Sequence, residues 1–234
     1  MSKTRKNNLI MSLAENLSII DMQFDDPKNK TERMEKLIET KPKLVSIDYM
    51  NILPNPPANN STEVKEELQK LQKLVDKRKK DDKIKEMVLE IDDDADTPFK
   101  RIAKKHNLQF PEKLVDKLWN EVLQPIQMQL KWKYNRPRPY QLGAKLGIEI
   151  DNLTTFTHQT PSYPSGHAIH GYFTALVMED MYPQHKDEWR AAGKMVGQAR
   201  LYQGVHYPSD NDASLYAANK IWEDIKDKYK TILT

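Results

Sequence analysis

A chain of 234 residues can bury one substantial core, and 37 Lys and Arg against 34 Asp and Glu leave a net charge of only +3, which excludes a strongly basic nucleic-acid binder. Cysteine is absent, so disulfides and thiolate metal sites are excluded too. Apolar runs such as Ala175-Leu176-Val177-Met178 fall far short of the ~20 residues that cross a bilayer.

The first residues, Met1-Ser2-Lys3-Thr4-Arg5-Lys6, are basic, but the apolar stretch after them is broken by Glu15 before any hydrophobic core or cleavage site. No secretion signal is expected, and the protein is expected to be soluble and cytoplasmic or otherwise intracellular. Residues 1–45 are read as an N-terminal arm with one short helix, Thr31 to Thr40, whose inner face carries Met34, Leu37 and Ile38. Residues 46–234 are read as a single helical domain. It begins with an extended strap, because Pro54, Pro56 and Pro57 forbid a continuous helix.

Asn60, with Glu63 three positions on, predicts a helix start. Val64, Leu68, Leu71 and Val75 form the stripe that follows, and Lys77-Arg78-Lys79-Lys80 reads as a solvated helix end. Ile84, Met87, Val88 and Ile91 predict a second helix. The acidic run Asp92 to Asp96 has Thr97 and Ala103 where a calcium loop needs glycine and glutamate, so it reads as a charged turn capping the next helix. Thr97-Pro98 opens that helix. Leu114, Val115, Leu118, Trp119, Val122 and Ile126 form the longest stripe, with Pro125 as a kink, and it runs into Lys131. A helix from Asp187 to Gln203 ends near Gly204, and another opens at Ser209-Asp210. Nothing alternates long enough for a sheet, so the predicted class is all-α.

Three stretches carry chemistry. Lys131, six residues, then Arg138-Pro139 comes first. Tyr163-Pro164-Ser165-Gly166-His167 comes second, where a loop turns into an apolar helix. Arg200, five residues, His206, three residues, Asp210 comes third. A helix start attracts anions through its unpaired N–H groups and dipole. Ser165 adds a hydroxyl, Gly166 lets backbone approach a ligand, and His167 titrates near neutrality. Lys131, Arg138 and Arg200 supply three cations for a phosphate dianion. His206 and Asp210, four apart, can pair, which pins the ring's tautomer.

In this order the three motifs resemble the signature shared by type 2 phosphatidic acid phosphatases, bacterial class A nonspecific acid phosphatases and vanadium haloperoxidases. The resemblance spans roughly residues 125–222 and is strongest to the soluble acid phosphatases. It implies a helical bundle of the acid phosphatase/vanadium haloperoxidase type. It further implies a phosphoric monoester hydrolase in which His206 is the nucleophile, His167 the general acid–base and Asp210 the partner of His206. Lys131, Arg138, Ser165, Gly166 and Arg200 would hold the phosphate of a small phosphorylated substrate. No metal or cofactor is implied, and neither a nucleic acid nor a membrane is an expected partner; homo-oligomerisation is left open. One departure is Ala199, where the family usually has Ser, which puts fine positioning in doubt.

Two alternatives stand beside this expectation. One is a haloperoxidase holding vanadate in the same cage, against which His158, nine residues before His167, is not a clean match. The other is a non-catalytic phosphate-binding or structural protein. His170 reads as a structural neighbour of the second motif. His106 and His185 belong to no motif and read as surface residues.

Overall fold

The computed structural model describes residues 16–25 and 27–233. Among them every regular element is helical, as the periodicities predict. Helix α1 (Glu32–Glu39) is capped by Thr31, whose hydroxyl accepts from the Met34 N–H. Helix α2 (Thr62–Lys80) starts one residue later than Asn60 predicts, because Ser61 Oγ accepts from Val64 N at 3.2 Å. Its stripe Val64, Leu68, Leu71 and Val75 is buried. The basic run at its end is not uniformly solvated, however. Arg78 is buried and donates to the carbonyls of Asp151, Tyr202 and Gln203, tying α2 to a distant helix end.

Helices α3 (Asp82–Asp93), α4 (Thr97–Lys105) and α5 (Glu112–Leu118) follow. The last passes through a π turn, Trp119–Leu123, into α6 (Gln124–Tyr134). Proline has no N–H to donate, and the predicted kink takes the form of this widened turn just before Pro125, with Gln124 N–H bonded to Trp119 O. Then come α7 (Pro139–Lys145), α8 (Gly166–Met181), α9 (Lys186–Gln203) and α10 (Pro208–Ile225). Gly204, at φ 81°, ends α9 in the left-handed conformation that glycine tolerates.

Helix α8 is apolar around most of its circumference, the pattern of a helix buried on all sides. It packs against α9 on one flank and α10 on another. The α8–α9 contact is close: a Cβ on Gly193 would stand 2.8 Å from Gly171 O, and one on Gly171 would stand 2.6 Å from Val196 Cβ. Ile169, Phe173, Ile221 and Trp222 join Ile126 and Leu130 in one apolar cluster. Phe99, Met178, Trp189 and Val196 form another. Helix α1 packs on α6. This packing brings the end of α6, the start of α8, the end of α9 and the start of α10 to one end of the bundle.

Candidate active site

Asn135, at φ 42°, turns the chain out of α6, and Phe24 N–H donates to its carbonyl at 2.9 Å. Beyond it, Pro137 and Pro139 each push the preceding residue into extended backbone; Arg138 sits at φ −71°, ψ 154°. Residues two apart in extended chain project to the same side. Arg136 and Arg138 accordingly both reach the third motif, one to each member of its histidine–aspartate pair.

Arg138 is fully buried and one of its Nη1 protons faces His206 Nε2 at 2.8 Å. A guanidinium can only donate, so Nε2 carries the lone pair and the ring proton sits on Nδ1. That proton goes to Asp210 Oδ2, 3.0 Å away. Asp210 also accepts from Ser162 Oγ, from Tyr207 N at 3.0 Å and from Arg136 Nη1 at 2.6 Å. Burial pushes the Asp210 carboxyl up, but Arg136, His206 and Ser162 overrule it and hold the group well below the usual carboxylate range. Burial and then Arg138 push His206 below the usual imidazole value, against the pull of Asp210. His206 is thus a neutral imidazole of defined tautomer.

Lys131 Nζ, buried at the end of α6, donates to the carbonyls of Pro161 and Ser162. Burial and the neighbouring Arg138 lower its affinity for the proton. Burial and Arg200 bring Arg138 itself down to about 9. Asp210 and Asp92 offset part of this crowding of buried cations, and an anion bound among them would relieve the rest. Ser165 caps α8, its Oγ accepting from Ala168 N, while its own N–H donates to Ser214 Oγ at 2.9 Å. A Cβ on Gly166 would come within 2.8 Å of Gln127 Oε1. His167, half-buried, points Nε2 at the Asp92 carbonyl, 3.5 Å away. Burial first and Arg200 second depress its pKa.

A cleft of about 460 Å³ collects Lys131, Arg138, Gly166, His167 and His206. The remaining predicted residues, Ser165, Arg200 and Asp210, stand behind that lining. Arg200, buried at the end of α9, pairs with Asp92 Oδ1 and donates to Thr157 Oγ1 at 2.9 Å; its Nε is buried without a hydrogen-bond partner among the described residues. Asp92, pushed up by burial but pulled down by Arg200, settles at about 2. The mouth of the cleft is formed by α1 through Thr31, Arg33, Met34 and Leu37.

Residues 118–219 match the model of the PAP2 superfamily. That stretch is similar to a PAP2 superfamily domain. Among curated proteins, this chain is 33% identical over 89 residues to a non-specific acid phosphatase of Providencia stuartii, covering 38% of this chain and 36% of that one. It is 35% identical over 83 residues to a non-specific acid phosphatase of Salmonella typhimurium, covering 36% of this chain and 33% of the other. The matched stretch is therefore about a third of those enzymes' length. Among solved structures, a bacterial vanadium-dependent iodoperoxidase superposes with a TM-score of 0.64 at 15% identity, covering 88% of this chain and 60% of that one. It shares the helical fold.

Three contributions to this site escaped sequence reasoning. Arg136 lies inside the first motif and reads from sequence as one more basic residue; it is buried between Asp210 and Glu67 and lies over the Tyr207 ring at 3.8 Å. Asp92 sits in a run read as a turn, yet it neutralises Arg200. His170, read as structural, bonds Asp96 of the same run at 2.7 Å. The unusual Ala199 belongs to the apolar cluster around Trp189.

Proposed function

We propose that the protein is a phosphatase that hydrolyses small phosphomonoesters through a phosphohistidine. The support is the bare Nε2 of His206, held by Asp210 and aimed into a cleft lined by buried cations. The ester enters as its monoanion and hands its proton to the neutral His167, leaving a phosphoryl dianion among Lys131, Arg138 and Arg200. Its oxygens replace His206 as the acceptor of the Arg138 proton and take the unpaired Nε–H of Arg200, which frees the Nε2 lone pair. Nε2 then attacks phosphorus in line, the P–O ester bond breaks, and the departing oxygen takes a proton from His167. Asp210 stabilises the ring while it carries the phosphoryl group. His167, now neutral, removes a proton from water, whose oxygen attacks phosphorus as the P–N bond breaks, releasing phosphate and His206. The cage cations act most strongly as charge redistributes in the transition state.

Rapid-quench labelling tests the assignment. His206→Ala should abolish phosphoenzyme and turnover for every leaving group. His167→Ala should still label with nitrophenyl phosphate, whose leaving group needs little protonation, and lose about 10²–10⁴-fold more rate on alkyl esters. Label in His206→Ala but not in His167→Ala would reverse the roles. Peroxide-dependent halide oxidation by vanadate-loaded protein, without ester hydrolysis, would replace the reaction altogether.

A further inference from the structure

At the far end of α8 from the cleft, three side chains from two separate stretches converge. His106 caps the C-terminus of α4, His185 closes the short turn before α9, and Glu188 lies in the first turn of α9. The two rings stack with centroids 3.8 Å apart and planes 23° apart. His106 Nε2 is 2.7 Å from Glu188 Oε1, and His185 Nδ1 is 3.8 Å from the same oxygen. All three donor atoms lie within 4.8 Å of one another, and each residue is half-buried. Lys105 Nζ holds the other carboxylate oxygen at 2.7 Å. Sequence reading placed no metal and took both histidines for surface residues; nothing local in the chain links them.

A tetrahedral Zn²⁺ with bonds of about 2.0–2.1 Å separates its donor atoms by roughly 3.3 Å. The separations of His106 Nε2 and His185 Nδ1 from Glu188 Oε1, 2.7 and 3.8 Å, lie on either side of that spacing. Hydrogen bonding alone serves the group poorly. Two stacked imidazoles compete for one acceptor oxygen. A divalent ion would satisfy both nitrogens and the oxygen together, while the Lys105 bond orients the carboxylate from outside, as outer-shell partners of metal ligands do.

We propose that His106, His185 and Glu188 bind a divalent transition ion of the Zn²⁺ class, with water completing the coordination. The ion pins the end of α4 to the α8–α9 corner. It takes no part in the phosphoryl chemistry, because the length of α8 from His167 to Met181 separates the two sites by about 21 Å at 1.5 Å per residue.

Full-length protein stripped with chelator and titrated calorimetrically with Zn²⁺ should show one saturable site. At a hundredfold excess over Kd the thermal midpoint should rise by roughly 5–10 °C. His106→Gln and His185→Gln should lose the site, and Glu188→Gln should weaken it by at least about 10–100-fold. Nitrophenyl phosphate turnover should be the same with and without the ion. Co²⁺ added to the unmutated protein should give the visible ligand-field bands of a low-coordinate nitrogen–oxygen site, a readout independent of how the variants fold. Absence of those bands, or Zn²⁺ binding of equal affinity and stoichiometry in the histidine variants, would overturn the proposal. A turnover that chelator abolishes and Zn²⁺ restores would overturn the structural role.

Discussion

Replacing Arg136 with methionine keeps the length of the side chain and removes its charge. Arg136 touches both Asp210 and Glu67, at 2.6 and 3.2 Å, and its side chain is 1% exposed. Breaking a buried pair from one side leaves an uncompensated carboxylate, which costs about 3–5 kcal/mol. For a chain of this size that corresponds to a fall in Tm of roughly 6–20 °C. The loss should depend on pH in a defined direction. In the unmutated protein the Asp210 pKa is depressed despite its burial, so its contribution is fully present above the unfolded value of about 3.9 and is lost as pH falls below it. Burial already raises Glu67 against the pull of Arg136 and Ser209, so Glu67 weakens the fold as it ionises. Without Arg136 both carboxyls favour the proton, and the variant should recover more stability on acidification than the parent, which gains only through Glu67. The deficit should shrink by up to about 1.4 kcal/mol per pH unit for each proton taken up. Urea denaturation of both proteins near neutral pH and at mildly acidic pH measures it. A deficit under about 1 kcal/mol, against the 3–5 expected for a broken buried pair, or one that does not shrink on acidification, would refute the electrostatic account of Arg136.

Because the His167 pKa is depressed by burial and Arg200, the free enzyme should take its catalytic proton from the substrate monoanion. The basic limb of kcat/KM should therefore fall near the ester's second pKa of about 6 and move with that pKa from one ester to another; a limb that stays put across esters points instead to Lys131 or another protein group. Gly166→Ala should change stability by less than about 1 kcal/mol, since alanine favours the helix, while the new Cβ drives the Gln127 amide towards the cleft and raises KM; KM and Tm measured together separate the two effects. Arg33→Ala, at the exposed mouth of the cleft, should raise KM by no more than about fivefold, and only for esters whose alcohol portion carries a second anion. An equal effect on phenyl phosphate would argue against that role.

The sequence alone determined the helical class, most helix starts and the residue types of the site. These are local properties: apolar spacing, capping residues, prolines and glycines act within a turn or two of themselves, and the three motifs carry their donors at short fixed separations. His206 and Asp210 could be paired on paper because four residues on a helical turn suffice. Tertiary structure decided what neutralises and orients those donors. Asp92 reaches Arg200 across 108 residues, Glu67 reaches Arg136 across 69, and Asp96 reaches His170 across 74. The same is true of His106 and Glu188, 82 apart. Each of these acidic residues looks in sequence like part of a solvated, charged segment. Only the packing of α2 and α3 against the end of α9 and the start of α10 brings Glu67 and Asp92 beside their arginines, and partial burial there strengthens the coupling between the charges.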